Sequence, residues 1–313
     1  MANLPVAQLQ AEGELVIPQS HDVASIRTPE LSPGRARRHS TPERRRVVVR
    51  FALILAAIIY LVPLTFVLSS SLRTDANMYD PSQWMPMPLT WGHYANLFET
   101  LPLLPRYVWN TVFIAGLSTA GTVVSSALAG YGLARFRFPG NRIMLMGLLL
   151  TLMIPPQVTL VPLYSGFRAL DLVNTPWPII IPALFGTPFV TFFFRQYFVS
   201  LPTEFDEAAR MDGASWWQVF WKIVVPLSRP AFVTMVVLTL IQQWNGYFWP
   251  SVYLKSPEQW VLSQAMVSLT GQYASRQGEI MAGIILMSLP MVLLFIVAQR
   301  YIVQGIAASG IKG

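Results

Sequence analysis

Leu201-Pro-Thr-Glu-Phe-Asp-Glu-Ala-Ala-Arg-Met-Asp-Gly-Ala-Ser-Trp-Trp-Gln-Val-Phe-Trp-Lys-Ile-Val-Val-Pro-Leu-Ser-Arg-Pro230 reads as a helix, a turn and a second helix. Thr203 is placed to cap the first helix, with Glu204, Asp206 and Glu207 in the opening turns where the positive end of the dipole favours carboxylates. Gly213 supplies a position where positive φ is cheap, so the chain can reverse there. Ser215 followed three residues later by Gln218 has the form of a capping box and starts the second helix, which Pro226 and Pro230 end. Ala208 and Ala209 leave a low profile beside Glu207, which suits close docking in another protein's groove. The plainer alternative is a structural hairpin at the membrane interface, anchored at headgroup level by Trp216, Trp217, Phe220 and Trp221.

Outward from this hairpin the chain is apolar. Of 313 residues, 53% are hydrophobic and 12% charged, against about one quarter charged in soluble domains. A helix needs about 20 mostly apolar residues to cross a hydrocarbon core about 30 Å thick. Six segments meet that length, at about 51–70, 107–134, 143–164, 178–199, 231–250 and 280–303. They are read as helices, because lipid offers no hydrogen-bond partners to an open backbone. Small residues in the second, among them Gly116, Ala120, Gly130 and Gly132, permit close helix approach. Residues 1–46, with Pro5, Pro18, Pro29, Pro33 and Pro42 and a run of arginines, read as a disordered basic cytoplasmic tail, leaving 47–313 as one six-span domain. With the amino terminus inside, 17 of the 22 lysines and arginines fall on the cytoplasmic side. Both termini and the stretch 200–230 are therefore expected in the cytoplasm.

Several function classes drop out. The chain has no cysteine, and His21, His39 and His93 lack partners at ligand spacing, which argues against a metal site. Its formal charge of +7 sits at the margins of apolar runs rather than on one face, which argues for topology signals and against nucleic acid. No lysine follows a glycine, so no phosphate-binding loop is present and ATP hydrolysis by this chain is not expected. A membrane-embedded enzyme would need a histidine base, a metal cluster or paired carboxylates. The acidic group Glu204, Asp206, Glu207 and Asp212 on a short amphipathic hairpin fits docking better.

The hairpin resembles the cytoplasmic signature of the inner-membrane permeases of binding-protein-dependent ATP-binding-cassette importers: Glu-Ala-Ala, three residues, Gly, nine residues, then Ile, any residue, Leu, Pro. The match is Glu207, Ala208, Ala209, Gly213, Ile223 and Pro226, with Val225 in place of the leucine. Further likenesses to the maltose-transporter type of carbohydrate permease are Asn174-Thr175, Gln242-Gln243-Trp244-Asn245, Gly271-Gln272-Tyr273, Met281-Ala282-Gly283 and Gln299-Arg300-Tyr301. The resemblance implies an all-α, six-helix permease of the type I importer fold, in the bacterial inner membrane. It also implies a homologous second permease subunit, an extracytoplasmic solute-binding protein, and an ATPase dimer that holds the ATP and Mg. This chain itself would carry no cofactor. The solute would be a sugar, with glycerol phosphate or another polyol derivative as the alternative. The hairpin from Glu207 to Gly213 would seat in the ATPase and couple it to the spans.

Polar residues inside spans mark a possible translocation path. Gln242, Asn245 and Trp249 share a helical face, and Gln157 follows the helix-breaking Pro155-Pro156. Bonding between neighbouring helices is the competing explanation. The outer segment 251–279, with Trp260, Gln272 and Tyr273, resembles the loop that meets the binding protein; an ordinary surface loop is the alternative.

Overall fold

A computed structural model describes residues 43–75, 87–272 and 276–310, and within them every regular element is helical. Most of the tail expected at 1–46, up to residue 42, lies outside the described residues. In chain order the helices are α1 (Glu43–Ser71), α2 (Gly92–Thr100), α3 (Leu104–Arg135), α4 (Asn141–Thr151), α5 (Leu160–Ala169), α6 (Trp177–Leu184), α7 (Pro188–Ser200) and α8 (Glu204–Met211). There follow α9 (Trp216–Val219), α10 (Val225–Leu227), α11 (Arg229–Trp244), α12 (Phe248–Tyr253), α13 (Leu262–Gln272) and α14 (Gln277–Gly310).

Four stretches are each long and apolar enough to cross a membrane: Val47–Ser71, Leu104–Arg135, Trp177–Ser200 and Gln277–Tyr301. Two more qualify only as bent pairs, so the count among the described residues is four to six. The segment expected as a continuous span at 143–164 is instead α4 and α5, bent by 95° around a 3₁₀ turn at Pro156–Thr159. Pro155 and Pro156 cannot donate to the helical ladder, so the helix stops short of them. The stretch expected at 231–250 also differs, because α11 ends at Trp244, and it meets Trp216–Leu227 at an 80° bend.

The third stretch contains a break at Phe185–Thr187, where Gly186 takes φ +81°. Backbone groups freed there find partners on α3: Thr122 donates its hydroxyl to the Ala183 carbonyl at 3.1 Å, and the Thr187 amide donates to Ser126 Oγ at 3.1 Å. Hydroxyl side chains thus do what water does outside a membrane. α3 is the hub, packing against α6, α7 and α11. At Gly130 an added Cβ would lie 2.9 Å from the Arg195 amide nitrogen, so this glycine makes the close approach to α7, whereas at Gly116 it would meet nothing.

Among the described residues the two larger of four apolar clusters form the main cores. One joins Val123, Ala127 and Tyr131 of α3 to Phe194 and Phe198 of α7, Met235 of α11, and Phe220 beyond α9. The other joins Leu97, Tyr107, Trp244, Leu262, Leu269 and Ile280. In the second, the Trp244 indole N–H donates to the Met287 carbonyl at 3.0 Å, in the region of α14 that Pro290 interrupts.

Candidate functional site

The helices α8 and α9 form a hairpin whose turn follows from its residues. Gly213 adopts φ +84°, its amide donates to the Arg210 carbonyl at 3.1 Å, and the Ala214 amide donates to the Ala209 carbonyl at 3.0 Å. That pair of bonds is a Schellman motif, which ends a helix with a left-handed residue that glycine adopts without strain. The capping box is also formed: the Gln218 amide donates to Ser215 Oγ at 3.3 Å, and the Ser215 amide donates to Gln218 Oε1 at 2.7 Å. Thr203 stands at the N-cap of α8, but its side chain makes no capping bond, because its φ and ψ of −76° and −17° are already helical. Arg210 closes the turn, donating to the Ala214 carbonyl at 2.7 Å with its guanidinium 5.1 Å from the centre of the Trp216 ring.

Two attachments fix the hairpin to the helices behind it. Asp206 does not face solvent with its acidic neighbours; it is 4% exposed and lies 2.6 Å from Arg135 Nε at the end of α3. Arg135 also donates to the Leu201 carbonyl at 3.2 Å. Burial pushes the Asp206 carboxyl up from its ordinary range, and the Arg135 charge opposes that shift. The second attachment is Phe220, 2% exposed, with its ring centre 5.1 Å from that of Tyr131. Phe220 begins a π-helical turn, Phe220–Val224, that carries both Phe220 and Val224 into the first core. An interfacial anchoring role therefore fails for Phe220, while Trp216, Trp217 and Trp221 remain exposed.

The opposite side of the hairpin is open. Glu207, Ala208, Asp212 and Gly213 are exposed, and a Cβ at Gly213 would meet nothing within 4 Å. Met211, absent from the sequence expectation, is 88% exposed at the apex. Among the described residues neither Glu207 nor Asp212 has an ion-pair partner. Ala209 is half-buried and packs against the first core, Ile223 is half-buried, and Pro226 is exposed. Docking residues and anchoring residues are thus sorted to opposite faces of one short hairpin.

Of the residues expected along a path, Gln242 and Trp249 line one cavity of about 170 Å³ together with Thr111, Gln243 and Tyr247. Asn245 does not line it; its amide folds back to the Ile241 carbonyl at 2.8 Å. Gln157 is exposed in the 3₁₀ turn and is not brought to that cavity. In the segment 251–279, Leu262–Met266 of α13 are buried and Trp260 lies 6.3 Å, ring to ring, from Tyr107, so its described part is packed against the helices rather than a free surface loop. Gln272 ends α13, its side chain undescribed, and Tyr273 lies outside the described residues. The segment is pinned by Asn174, whose side-chain oxygen accepts from the Lys255 and Ser256 amides at 2.9 and 2.8 Å while its amide donates to Ser256 Oγ at 2.8 Å.

This architecture, broken apolar helices around a hub with an acidic-alanine hairpin at one end, is that of an importer permease. Residues 121–308 match the family of binding-protein-dependent transport system inner membrane components, and the chain belongs to that family. It is 32% identical to the arabinooligosaccharides transport system permease protein AraQ of Halalkalibacterium halodurans, over 85% of this chain and 96% of that protein. It is 33% identical to the lactose transport system permease protein LacG of Rhizobium radiobacter, over 86% and 98%. Among solved structures, a chain of a bacterial ABC transporter involved in the import of the acidic polysaccharide alginate superposes with a TM-score of 0.72 at 25% identity, over 84% of this chain and 98% of that one.

Proposed function

We propose that this chain is the membrane-spanning, non-catalytic permease subunit of an ATP-driven importer for an oligosaccharide or disaccharide. The relatives named for arabinooligosaccharide and lactose transport support the solute class. In this reading an ATPase dimer in the cytoplasm holds ATP and Mg, a homologous second permease completes the pathway, and an extracytoplasmic binding protein delivers the solute. Both termini and the hairpin face the cytoplasm, in keeping with the bias of lysine and arginine toward that side.

The observation that carries the proposal is the exposed apex formed by Glu207, Ala208, Met211 and Asp212 on a hairpin anchored by Asp206 and Phe220. The open face seats in the ATPase, and the anchored face passes its displacement to α3, α7 and α11. Gln242 and Trp249 stand as residues of the path within the cavity they line, and Asn245 and Gln157 as residues of the path beyond it. Because about 170 Å³ is below the 300–1,000 Å³ typical of ligand sites, the second subunit must supply the remaining wall. Gln272 and Tyr273 stand as contacts to the binding protein.

Glu207→Lys reverses charge at an exposed position and leaves the fold intact. Expected are normal membrane levels, loss of co-purifying ATPase and loss of sugar uptake, while Glu207→Gln retains part of both. Full uptake by the lysine variant at normal expression would refute the coupling role.

A further inference from the structure

A second feature lies at the hairpin end of α3. The segment after Arg135 turns through Gly140 at φ +93° into α4, and between this turn and α7 lies an open cavity of about 680 Å³. Three of its lining residues are arginines, Arg137, Arg142 and Arg195, with Phe136 and Phe138 beside them, and no carboxylate lines it. Among the described residues Arg137 and Arg142 have no ion-pair partner, and Arg195 Nε is buried without a hydrogen-bond partner while its Nη1 donates to Gln196 at 3.1 Å. A basic cluster this close to an apolar bundle, uncompensated by its own chain, is complementary to an anion.

The adjoining surface indicates which kind of anion. Leu133 and Phe138 also line a second cavity, of about 440 Å³, that runs between α3, α4 and the start of α7 past Leu148, Phe185 and Pro188. Its lining is almost wholly apolar, with threonines as the polar members and no charged residue. A cationic pocket continuous with an apolar cleft on the outside of a helical bundle has the polarity profile of a phospholipid, headgroup first and acyl chain after. Neither cavity shares a lining residue with the one that holds Gln242 and Trp249.

We propose that Arg137, Arg142 and Arg195 hold the phosphodiester of an anionic phospholipid, one of whose acyl chains occupies the cleft between α3, α4 and α7. The site adjoins the hairpin, since Phe136 of the basic cavity packs edge-on against Trp216 at 5.2 Å. Its leaflet, the cytoplasmic one, rests on the orientation given under the proposed function; the site itself does not. Guanidinium groups suit a phosphodiester because their forked donors match two of its oxygens.

The test uses the assembled transporter, purified in mild detergent and presented with phosphatidylglycerol or phosphatidylcholine, with bound lipid read by native mass spectrometry. Each arginine near such a headgroup weighs roughly fivefold in binding. The triple variant Arg137→Gln, Arg142→Gln, Arg195→Gln is expected to bind phosphatidylglycerol about a hundredfold more weakly, with phosphatidylcholine unchanged. The triple lysine variant is expected to retain it, which separates loss of charge from loss of fold. Leu148→Trp, which fills the cleft, is expected to weaken long-chain phosphatidylglycerol as well, since each buried methylene weighs roughly fourfold. Undiminished phosphatidylglycerol on the triple glutamine variant would overturn the proposal. So would displacement by glycerophosphoglycerol together with an unaffected Leu148→Trp, which would make the site a soluble-phosphate site. Labelling of Met211→Cys in right-side-out and inverted vesicles tests the orientation separately, and the chain has no cysteine of its own to confuse it.

Discussion

Removing Arg135 while leaving Asp206 should damage this protein far more than removing both. The two side chains are 5% and 6% exposed and approach to 2.6 Å. At an effective dielectric of ~20 the attraction at that separation is about 6 kcal/mol. Desolvating two ions removes several kcal/mol each, and the upward displacement of the Asp206 carboxyl shows that burial outweighs the pull of Arg135. Arg135→Met strands a buried carboxylate and is expected to destabilise the folded chain by about 3–5 kcal/mol, whereas Arg135→Met with Asp206→Leu should fall within about 1 kcal/mol of the parent. A double-mutant cycle in graded SDS, read by tryptophan fluorescence, measures the coupling. The pH dependence has a definite sign. A carboxyl whose folded pKa lies above its unfolded value favours folding at low pH, and that contribution is lost as pH rises through the folded value. Arg135→Met, with nothing left to hold the carboxyl down, should therefore recover stability as pH is lowered from neutral through the folded value. Equal stability of the single and double variants at neutral pH, where the stranded carboxyl is charged, would refute the account of this pair.

Three further outcomes follow from local geometry. Gly213→Val forces a β-branched residue to φ +84° and should destabilise the turn by about 1–3 kcal/mol and uncouple ATP hydrolysis from uptake in reconstituted vesicles, while Gly213→Asn is largely tolerated. Ser215→Ala removes the oxygen that accepts from the Gln218 amide and should lower stability in SDS titration by about 1 kcal/mol, with uptake reduced less than by Gly213→Val. Asn174→Ala loses three hydrogen bonds and places alanine at φ +66°, so hydrogen exchange in 251–261 should quicken by at least about tenfold, with α8 unaffected.

The turn at Gly213 and the box at Ser215 were legible because both are local: a residue that must take positive φ and a hydroxyl three positions from a glutamine leave few choices. The side to which Asp206 points was not, because its partner is remote in sequence and three acidic neighbours disguised it. A usable signal did exist. Asp206 lies three residues before Ala209, which packs on the core, so the two share a helical face, and Arg135 ends a long apolar helix with no acidic residue near it in sequence. The break in 143–164 was signalled by Pro155-Pro156, whereas the early end of α11 at Trp244 was marked only by Gly246 two residues on. Phe220 was misplaced at the interface because a π turn shifts the phase of Phe220–Val224 relative to an ideal helical wheel.

The hairpin has two attachments of different chemistry, and that difference bears on how it transmits force. Tyr131, packed on Phe220, sits one helical turn before Arg135, so both attachments reach the last turns of α3. A single apolar contact would let the hairpin pivot, because dispersion forces are nearly indifferent to rotation. A buried ion pair adds direction, since small displacements at 2.6 Å leave both buried charges poorly compensated. Together they oblige the hairpin and the end of α3 to move as one piece, which is what the proposed coupling to an ATPase requires. The polar pair is thus expected to matter more for coupling than for folding. The apolar double variant, restored in stability, should still transport less sugar per ATP than the parent, and full transport efficiency in that variant would assign the transmission to Phe220 and its aromatic neighbours alone.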